Sequence, residues 1–523
     1  MLADARAAGP GQVIATDVCI VGGGAAGIAL ARQLIGHRLR VLLLESGDLQ
    51  HREATRAFDD VASVGTPYHA LDASRVRALG GTTHIWGGWC RPLEEGDFEA
   101  RAWVPQSGWP FPRAHLDDWY ARAHALCGLG PYDYRVTRWA RDPSSRLPTA
   151  GDPLVDEMLL QIAPTRFGAA HRGALRDAAN VTVMLDAHVL GLMMNAAGTV
   201  ARGVRIATPA GVRVTVEARV VVLAAGGIEN PRLLLASSGD RAGGVGNAHD
   251  IVGRYFTDHL HVPIGTIRPQ TPAAGRRYQV RRVGDTRLRL GLTLTEAARR
   301  EYRLLGSAVT LHNTADPHDV LSPGPSTGGY RSLMTLARAM RHGEYPDAPA
   351  RHLVTVLRHA DEALALSYRR LRRPALTCLT IGLRAEQAPD RDSRVTLDEA
   401  VDRFGVRRAR LAWRVSDRDL DSVARVQALV ARSLAPQQVA MFPRDGAGGW
   451  LSRLAPGAHH MGTTRMHRDP RAGVVDEHCR VHGTTNVYVA GSSVFPTGGW
   501  APPTLTIVAL ALRLAEHLAA RLR

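Results

Sequence analysis

Asp17-Val18-Cys19-Ile20-Val21-Gly22-Gly23-Gly24-Ala25-Ala26-Gly27 decides the fold of this 523-residue chain. A short apolar run ends in glycines, and Ile28, Leu30, Ala31 and Leu34 continue it with helical spacing. The order is strand, tight turn, helix. Gly22, Gly24 and Gly27 permit the turn, the approach of backbone to a pyrophosphate and the packing of helix on strand. The helix N-terminus adds N–H donors and a favourable dipole. A second apolar strand, Val41 to Leu44, leads into Glu45, eighteen residues past Gly27, where a carboxylate can bind the ribose hydroxyls of an adenosine. An acid there disfavours a 2′-phosphate and argues against NADP. The motif alone does not separate NAD from FAD.

Other segments narrow the choice. Arg77 precedes Ala78-Leu79-Gly80-Gly81-Thr82-Thr83-His84-Ile85-Trp86-Gly87-Gly88-Trp89-Cys90, whose paired glycines allow close approach to a flat ring and whose tryptophans wall it off. Val220 to Ala225 form a buried strand that runs into Gly226-Gly227-Ile228-Glu229-Asn230-Pro231-Arg232 and a helix. Further on, His459-His460-Met461-Gly462-Thr463-Thr464-Arg465-Met466 precedes Asn486 to Thr497, which contains Gly491-Ser492-Ser493, and an apolar helix that starts at Pro502-Pro503-Thr504. Together these segments resemble the glucose-methanol-choline (GMC) oxidoreductases, flavoproteins that oxidise alcohols. The resemblance spans first strand to last helix and includes Glu386-Gln387-Ala388-Pro389 with Ser393-Arg394-Val395-Thr396-Leu397.

The resemblance implies an α/β protein with a discontinuous, Rossmann-like FAD-binding domain at 1–110, 176–265 and 455–523. A substrate domain, built on a largely antiparallel sheet, would take 111–175 and 266–454. FAD contacts are expected from Gly22, Gly24, Gly27, Glu45, Gly80, Gly81, Thr82, Thr83, Trp86, Gly87, Val189, Ala225, Gly226, Gly491, Ser492, Pro502 and Thr504. Some relatives attach FAD through a histidine of the glycine-rich loop, but His84 falls one residue before the matching position, Ile85. Noncovalent FAD is therefore expected.

Alcohol oxidation with flavin moves a hydride from the carbinol carbon to N5 while the hydroxyl proton goes to a base, and one placed imidazole suffices for that proton. The family's base is the histidine three residues before the glycine of a Gly-Thr pair, which here is His459. His460 is its neighbour and, in an extended segment, points the other way. A second family position, His or Asn just before the final helix, is Pro502 here, so the two-residue arrangement is absent. The helix after it would point its N-terminus at the flavin pyrimidine ring and favour the anionic reduced form. Asp258-His259-Leu260-His261 has a metal-like look, but two histidines at i, i+2 without further ligands read as flavin-domain core, and no metal is assigned.

The substrate expected from the resemblance is a sugar-like polyol: a sugar, a glycoside or an amino sugar such as an aminoglycoside intermediate, with oxygen or another oxidant as electron acceptor. Two other classes stay open: a lyase that keeps FAD without net redox, as some relatives do, and a redox-inactive flavin-binding protein, suggested by Pro502.

Composition agrees with a large enzyme core: 45% hydrophobic and 22% charged residues over 523 positions suit two domains. The formal charge of +16 comes from 65 cations that are all arginine. The groups Arg276–Arg282, Arg369–Arg373 and Arg407–Arg410 are scattered and carry no nucleic-acid motif, so nucleic acid is not an expected partner. The five cysteines, Cys19, Cys90, Cys127, Cys378 and Cys479, form no CxxC pair and read as reduced thiols. Residues 1–12 lack a basic start and apolar stretch, and Arg513, Glu516 and His517 interrupt the apolar run from Leu505, so a cytoplasmic protein without a membrane span is expected.

The pattern between these motifs predicts a helix over Asp117–Leu129, a strand at Val181–Met184 and a hairpin of Val204–Ile206 with Val212–Val216, with Ala187-His188-Val189 near the adenine. Alternating strands follow at Leu288–Leu294, Leu376–Arg384 and Ala409–Val415, as in a sheet lining a substrate site. A linker, Ser322–Gly329, introduces helical stretches at Ser332–Arg341 and His352–Arg370.

Overall fold

A computed structural model describes the chain except residues 53–54, 56–57, 59–60, 148–153, 238–242, 314–331, 334–335, 338–348, 361–377 and 447. The linker Ser322–Gly329, most of the stretch Ser332–Arg341 and residues 361–370 therefore lie outside the described residues, where the Pro349–Arg358 helix stands before them.

Val13–Val21 and Val41–Leu44 are adjacent parallel strands, with Val18 to Val21 opposite Val41 to Leu44. Between them runs the Ala25–Gln33 helix, whose Ala26, Ile28, Ala29, Leu30 and Ala31 are buried. This is the expected strand–turn–helix–strand unit, and its parallel strands need such a crossover. Val181–Leu185 and Leu2–Asp4 extend the sheet on one side, all in parallel. On the other side stand Arg213–Leu223, Ala201–Ala207 and His188–Met194, and Val487–Val489 pairs with Arg213–Leu223, making eight strands.

The strand expected at Val220–Ala225 and the hairpin strand at Val212–Val216 are one strand, Arg213–Leu223. The polar residues Glu217 and Arg219 look like a break in sequence, but they mark a change of partner. Residues 213–217 pair antiparallel with 203–207, while 215–223 pair parallel with Val13–Val21. Its last four residues are buried on both faces.

A second sheet of nine strands is antiparallel throughout its main path: Gln438–Met441, Leu260–Arg268, Leu379–Ala385, Ser307–Asn313, Thr286–Leu294, Val155–Ile162 and Trp89–Cys90. Thr286–Leu294 and Leu379–Ala385 answer to predicted strands, but Val155–Ile162 was not anticipated. The strand expected at Ala409–Val415 runs Arg407–Trp413 and belongs elsewhere, to a third sheet with Arg394–Val401 and Ala62–Gly65. Its pairing with residues 62–65 is parallel and long-range, which alternation within one segment does not reveal.

The closing helix, Thr504–Arg521, buries Leu505, Val508, Leu512 and Leu518. It packs on the Ala25–Gln33 helix and on the Asp117–Leu126 helix, where Tyr120 Oη lies 2.9 Å from Thr506 Oγ1. Among the described residues, no helix is long and apolar enough to cross a membrane. The five cysteines are free thiols.

Candidate active site

Loops from three parallel strands converge at one edge of the first sheet. Gly22 stands at φ +109°, and a Cβ there would lie 2.6 Å from the Ala224 carbonyl oxygen; one at Gly27 would lie 2.0 Å from Gly22 O. These glycines are required by the chain itself. Gly24, Gly226 and Gly491 differ, because a Cβ on any of them would meet nothing within 4 Å. They follow Val13–Val21, Arg213–Leu223 and Val487–Val489, so three backbone turns border one open cradle above the strand ends. That geometry fits an extended dinucleotide.

Glu45 is buried, and its carboxylate accepts the Gly23 N–H at 2.9 Å and the Gly47 N–H at 2.8 Å. Burial pushes its pKa up, against these two amides. It thus braces the glycine turn, and with Ser46 Oγ donating to Oε1 as well, at 3.3 Å, one lone pair on Oε2 is left for a ribose hydroxyl. Beyond it an open cleft is lined by Ser46, Val189, His188, Phe58, Glu229 and Phe404. Phe58 and Phe404 stack with centroids 5.4 Å apart, and His188 lies within 5.1 Å of Phe404. Flat rings and a backbone edge at Val189 suit an adenine.

The Gly-Gly-Thr-Thr loop lies on the glycine turn: Gly80 N–H donates to Gly23 O at 2.7 Å, and a Cβ on Gly81 would come 3.0 Å from Gly24 Cα. Gly80 and Gly81 both have positive φ, +109° and +52°. Thr83 is buried and accepts the Phe167 N–H at 3.1 Å, whereas Thr82 and Gly87 are exposed. Trp86 donates to Thr165 O at 3.0 Å, and His84 Nε2 donates to Leu79 O at 2.9 Å.

The histidine turn joins the same centre. Thr464 and Met466 N–H groups donate to Ser493 O and Val494 O at 2.8 Å each, Ser492 Oγ donates to His460 O at 2.7 Å, and Thr463 Oγ1 donates to Gly227 O at 2.6 Å. Asn230 reaches back to the Ala225 N–H and to Ser493 Oγ. Residues 225–230, 459–466 and 490–494 are thereby one hydrogen-bonded block, and Pro502 and Thr504 follow at the buried start of the closing helix.

Within that block the paired histidines diverge. His460 faces Tyr68 and Phe256 at 5.9 and 6.0 Å between centroids. His459 faces His259: their Nδ1 atoms are 2.7 Å apart, and His259 Nε2 lies 2.9 Å from Gly499 O. His261 stands 6.3 Å from His459 and accepts from Arg384 Nε at 3.2 Å. The His459 backbone is held as well. Ala458 adopts φ +61°, and the His259 and His459 N–H groups both reach Asp258 Oδ1, at 2.6 and 2.8 Å, while Tyr68 donates to Oδ2.

Burial, then the neighbours His259 and Arg384, hold the His459 imidazole well below its ordinary value. Burial likewise lowers His259 to about 3 and raises Asp258 to about 6. His459 is thus a neutral imidazole at neutral pH, the form that can take a proton. Arg384 and Arg289 sit 5.0 and 5.2 Å over the Trp89 ring, and burial with the Arg289 charge pulls Arg384 down to about 10.

The role of His259 and its neighbours was not legible in sequence. Asp258-His259-Leu260-His261 reads there as flavin-domain core, and alternation along the strand it enters, Leu260–Arg268, does not show that His259 faces a turn 200 positions away. Among the described residues there is no cluster of metal ligands. Pro502 offers no polar side chain.

Comparison with known proteins agrees with this geometry. A family model described as FAD dependent oxidoreductase matches residues 17–341, and one described as GMC oxidoreductase matches residues 389–511. The chain is 28% identical to the 6‴-hydroxyparomomycin C oxidase of Streptomyces lividus, over 96% of this chain and 92% of that one. It is 22% identical to the fructose dehydrogenase large subunit of Gluconobacter japonicus, over 97% and 98%. The crystal structure of a pyridoxine 4-oxidase from Mesorbium loti superposes with a TM-score of 0.56 at 16% identity, covering 96% of this chain and 99% of that one, which shows a shared fold. The chain belongs to the FAD dependent oxidoreductases and, among them, to the GMC oxidoreductases.

Proposed function

We propose that this oxidoreductase oxidises a hydroxyl of a sugar-like polyol, with His459 as the base that takes the hydroxyl proton. The observation that carries the reading is the place of the His459 ring, half-buried, held against His259 and adjoining the block built from the two nucleotide turns. FAD, held by Gly22, Gly24, Glu45, Gly80, Gly81, Gly226, Gly491 and Ser492, supplies the hydride acceptor when bound. Noncovalent binding belongs to the reading, supported by His84 Nε2 being engaged with Leu79 O. The assignment of 1–110, 176–265 and 455–523 to the cofactor and of the remainder to substrate belongs to it too.

The chain's own residues account for the proton side. A hydroxyl placed against His459 loses its proton to the imidazole, and the resulting alkoxide is a far better hydride donor than the alcohol. General-base help of this kind contributes about 10²- to 10⁴-fold. Asp258 fixes the backbone of His459 and His259 holds its ring, so the imidazole is presented in one orientation. His261 stands beside the ring, and Arg384, which donates to His261 and lies with Arg289 over Trp89, adds positive charge that favours a hydroxyl-rich substrate that is neutral or anionic.

A second reading, an amino-sugar substrate, has one observation of its own: the end-to-end likeness to a protein named for hydroxyparomomycin oxidation. Anaerobic mixing of the yellow holoenzyme with neutral sugars, sugar acids and amino sugars separates these readings. Bleaching of the flavin absorbance identifies the class, and His459→Ala should slow it by about 10²- to 10⁴-fold. Colour that persists with every alcohol tried would count against oxidation and for a lyase or a redox-inactive protein. Flavin that stays on the denatured polypeptide would overturn noncovalent binding.

A further inference from the structure

We propose that His259 is a positioning residue that fixes His459 in the tautomer with a free Nε2, so that Nε2 is the atom that receives the substrate proton. The inference rests on the reading of His459 as base and assigns the atom and the group that selects it.

The argument is one of donors and acceptors. The Gly499 carbonyl can only accept, so at 2.9 Å His259 Nε2 must carry the hydrogen. A neutral imidazole has one N–H, which leaves His259 Nδ1 as a lone pair. That lone pair lies 2.7 Å from His459 Nδ1, so the shared hydrogen belongs to His459. His459 Nε2 is then bare. The reverse assignment, with hydrogen on His259 Nδ1, sets a nitrogen lone pair against a carbonyl oxygen. The chain Gly499 O, His259, His459 therefore has one direction.

Its anchors are rigid. His259 is fully buried, and its own N–H is held by Asp258 Oδ1 at 2.6 Å. Gly499 is pinned in a left-handed conformation, φ +53°, where a Cβ would lie 2.3 Å from Asp97 Oδ2. Thr497 Oγ1 donates to Asp97 O at 2.8 Å, and Arg299 bridges Asp97 and Glu94. The loop before the closing helix thus sets the tautomer through its carbonyl, although Pro502 gives it no polar side chain. When the hydroxyl O–H bond breaks, its proton bonds to His459 Nε2, and the positive imidazolium still donates from Nδ1 to His259.

Two measurements test this. Selective ¹⁵N labelling of histidine, with difference spectra against His259→Phe and His459→Ala, should show His459 Nδ1 protonated and Nε2 unprotonated in the resting holoenzyme; a proton on Nε2 overturns the proposal. The second is the rate of anaerobic flavin reduction in three variants. Asn places Oδ1 where Nδ1 stands and keeps the acceptor, Gln can keep the contact to Gly499 but not the acceptor, and Phe keeps only the volume. His259→Asn should remain within about tenfold of the native rate while Gln and Phe fall about 10²-fold or more, as expected for a mispositioned tautomer. Fastest reduction in the Phe variant would make the role one of packing, and in the Gln variant one of holding Gly499; either outcome refutes the proposal. If His459→Ala reduces flavin at the native rate, the reading of His459 fails instead, while the nitrogen spectra still decide the tautomer.

Discussion

Arg101 and Glu386, 285 positions apart, form a bidentate ion pair closed to water, with N–O distances of 2.8 and 2.6 Å. Glu386 follows the Leu379–Ala385 strand and also accepts the Gly306 N–H at 2.8 Å. Burial works to raise its carboxyl, and the charges of Arg101 and Arg299 outweigh that, holding it down to about 2. Glu386→Ala leaves a buried guanidinium without its carboxylate and should cost about 3–5 kcal/mol. The sign with pH follows from the depressed value: this stabilisation is complete above the unfolded carboxyl pKa of about 4.3 and fades as pH falls through the folded one. Thermal melts of both proteins at neutral and acidic pH should converge on acidification; a variant within 1 kcal/mol of native at pH 7 would contradict the expectation.

Gly22→Ala and Gly24→Ala should fail in different ways. The first forces a Cβ to 2.6 Å from Ala224 O at φ +109°, so the fold itself should lose about 2 kcal/mol or more. The second meets no protein atom within 4 Å, so the protein should fold normally yet lose flavin. Melting temperature and the ratio of flavin to protein absorbance distinguish the two. Equal flavin content in Gly24→Ala and native protein would remove Gly24 from the cradle.

Flavin reduction should not show the usual imidazole titration. His459 is held well below 6.5 by burial and by His259, Arg384, His261 and His460, so it remains unprotonated as pH falls through 6.5. The rate in rapid mixing should stay flat between about pH 8 and pH 6. A fall centred near the ordinary histidine value is the result that contradicts it. Stability follows the same sign: depressed histidines stabilise the fold above about pH 6.5 and lose that contribution on acidification.

Arg384→Met tests the charge at the substrate side. Losing a guanidinium beside His261 and over Trp89 should raise the kcat/KM of amino sugars relative to neutral sugars or sugar acids by about tenfold, equivalent to about 1.4 kcal/mol. An unchanged ratio would place Arg384 outside substrate recognition.

Much of the nucleotide side is legible in sequence, because backbone geometry forces it. Gly22 and Gly27 approach other backbone too closely for any side chain, and Val13–Val21 with Ala25–Gln33 carries its own periodicity. The substrate side is less so. His459 stands out through a resemblance, but what it touches depends on strands of the second sheet that meet it only after folding. Val155–Ile162 escapes notice because Asp156-Glu157 look like surface, although Glu157 pairs with the buried Arg277 at 2.7 Å. Glu217 and Arg219 mislead in the opposite direction, breaking a strand in sequence that structure keeps whole.

That strand has a consequence for how the molecule is made. Arg213–Leu223 finds its antiparallel partner at once, a few residues upstream, but its far half remains an open hydrogen-bonding edge until Val487–Val489 has been synthesised. At about 5–20 residues per second a ribosome needs on the order of ten seconds or more to supply it. Throughout that interval an apolar β-branched edge, Val220-Val221-Val222-Leu223, is exposed to mispairing. Gly491 and Ser492 arrive with the missing strand, so the nascent chain completes its cofactor cradle and closes this apolar edge in the same event.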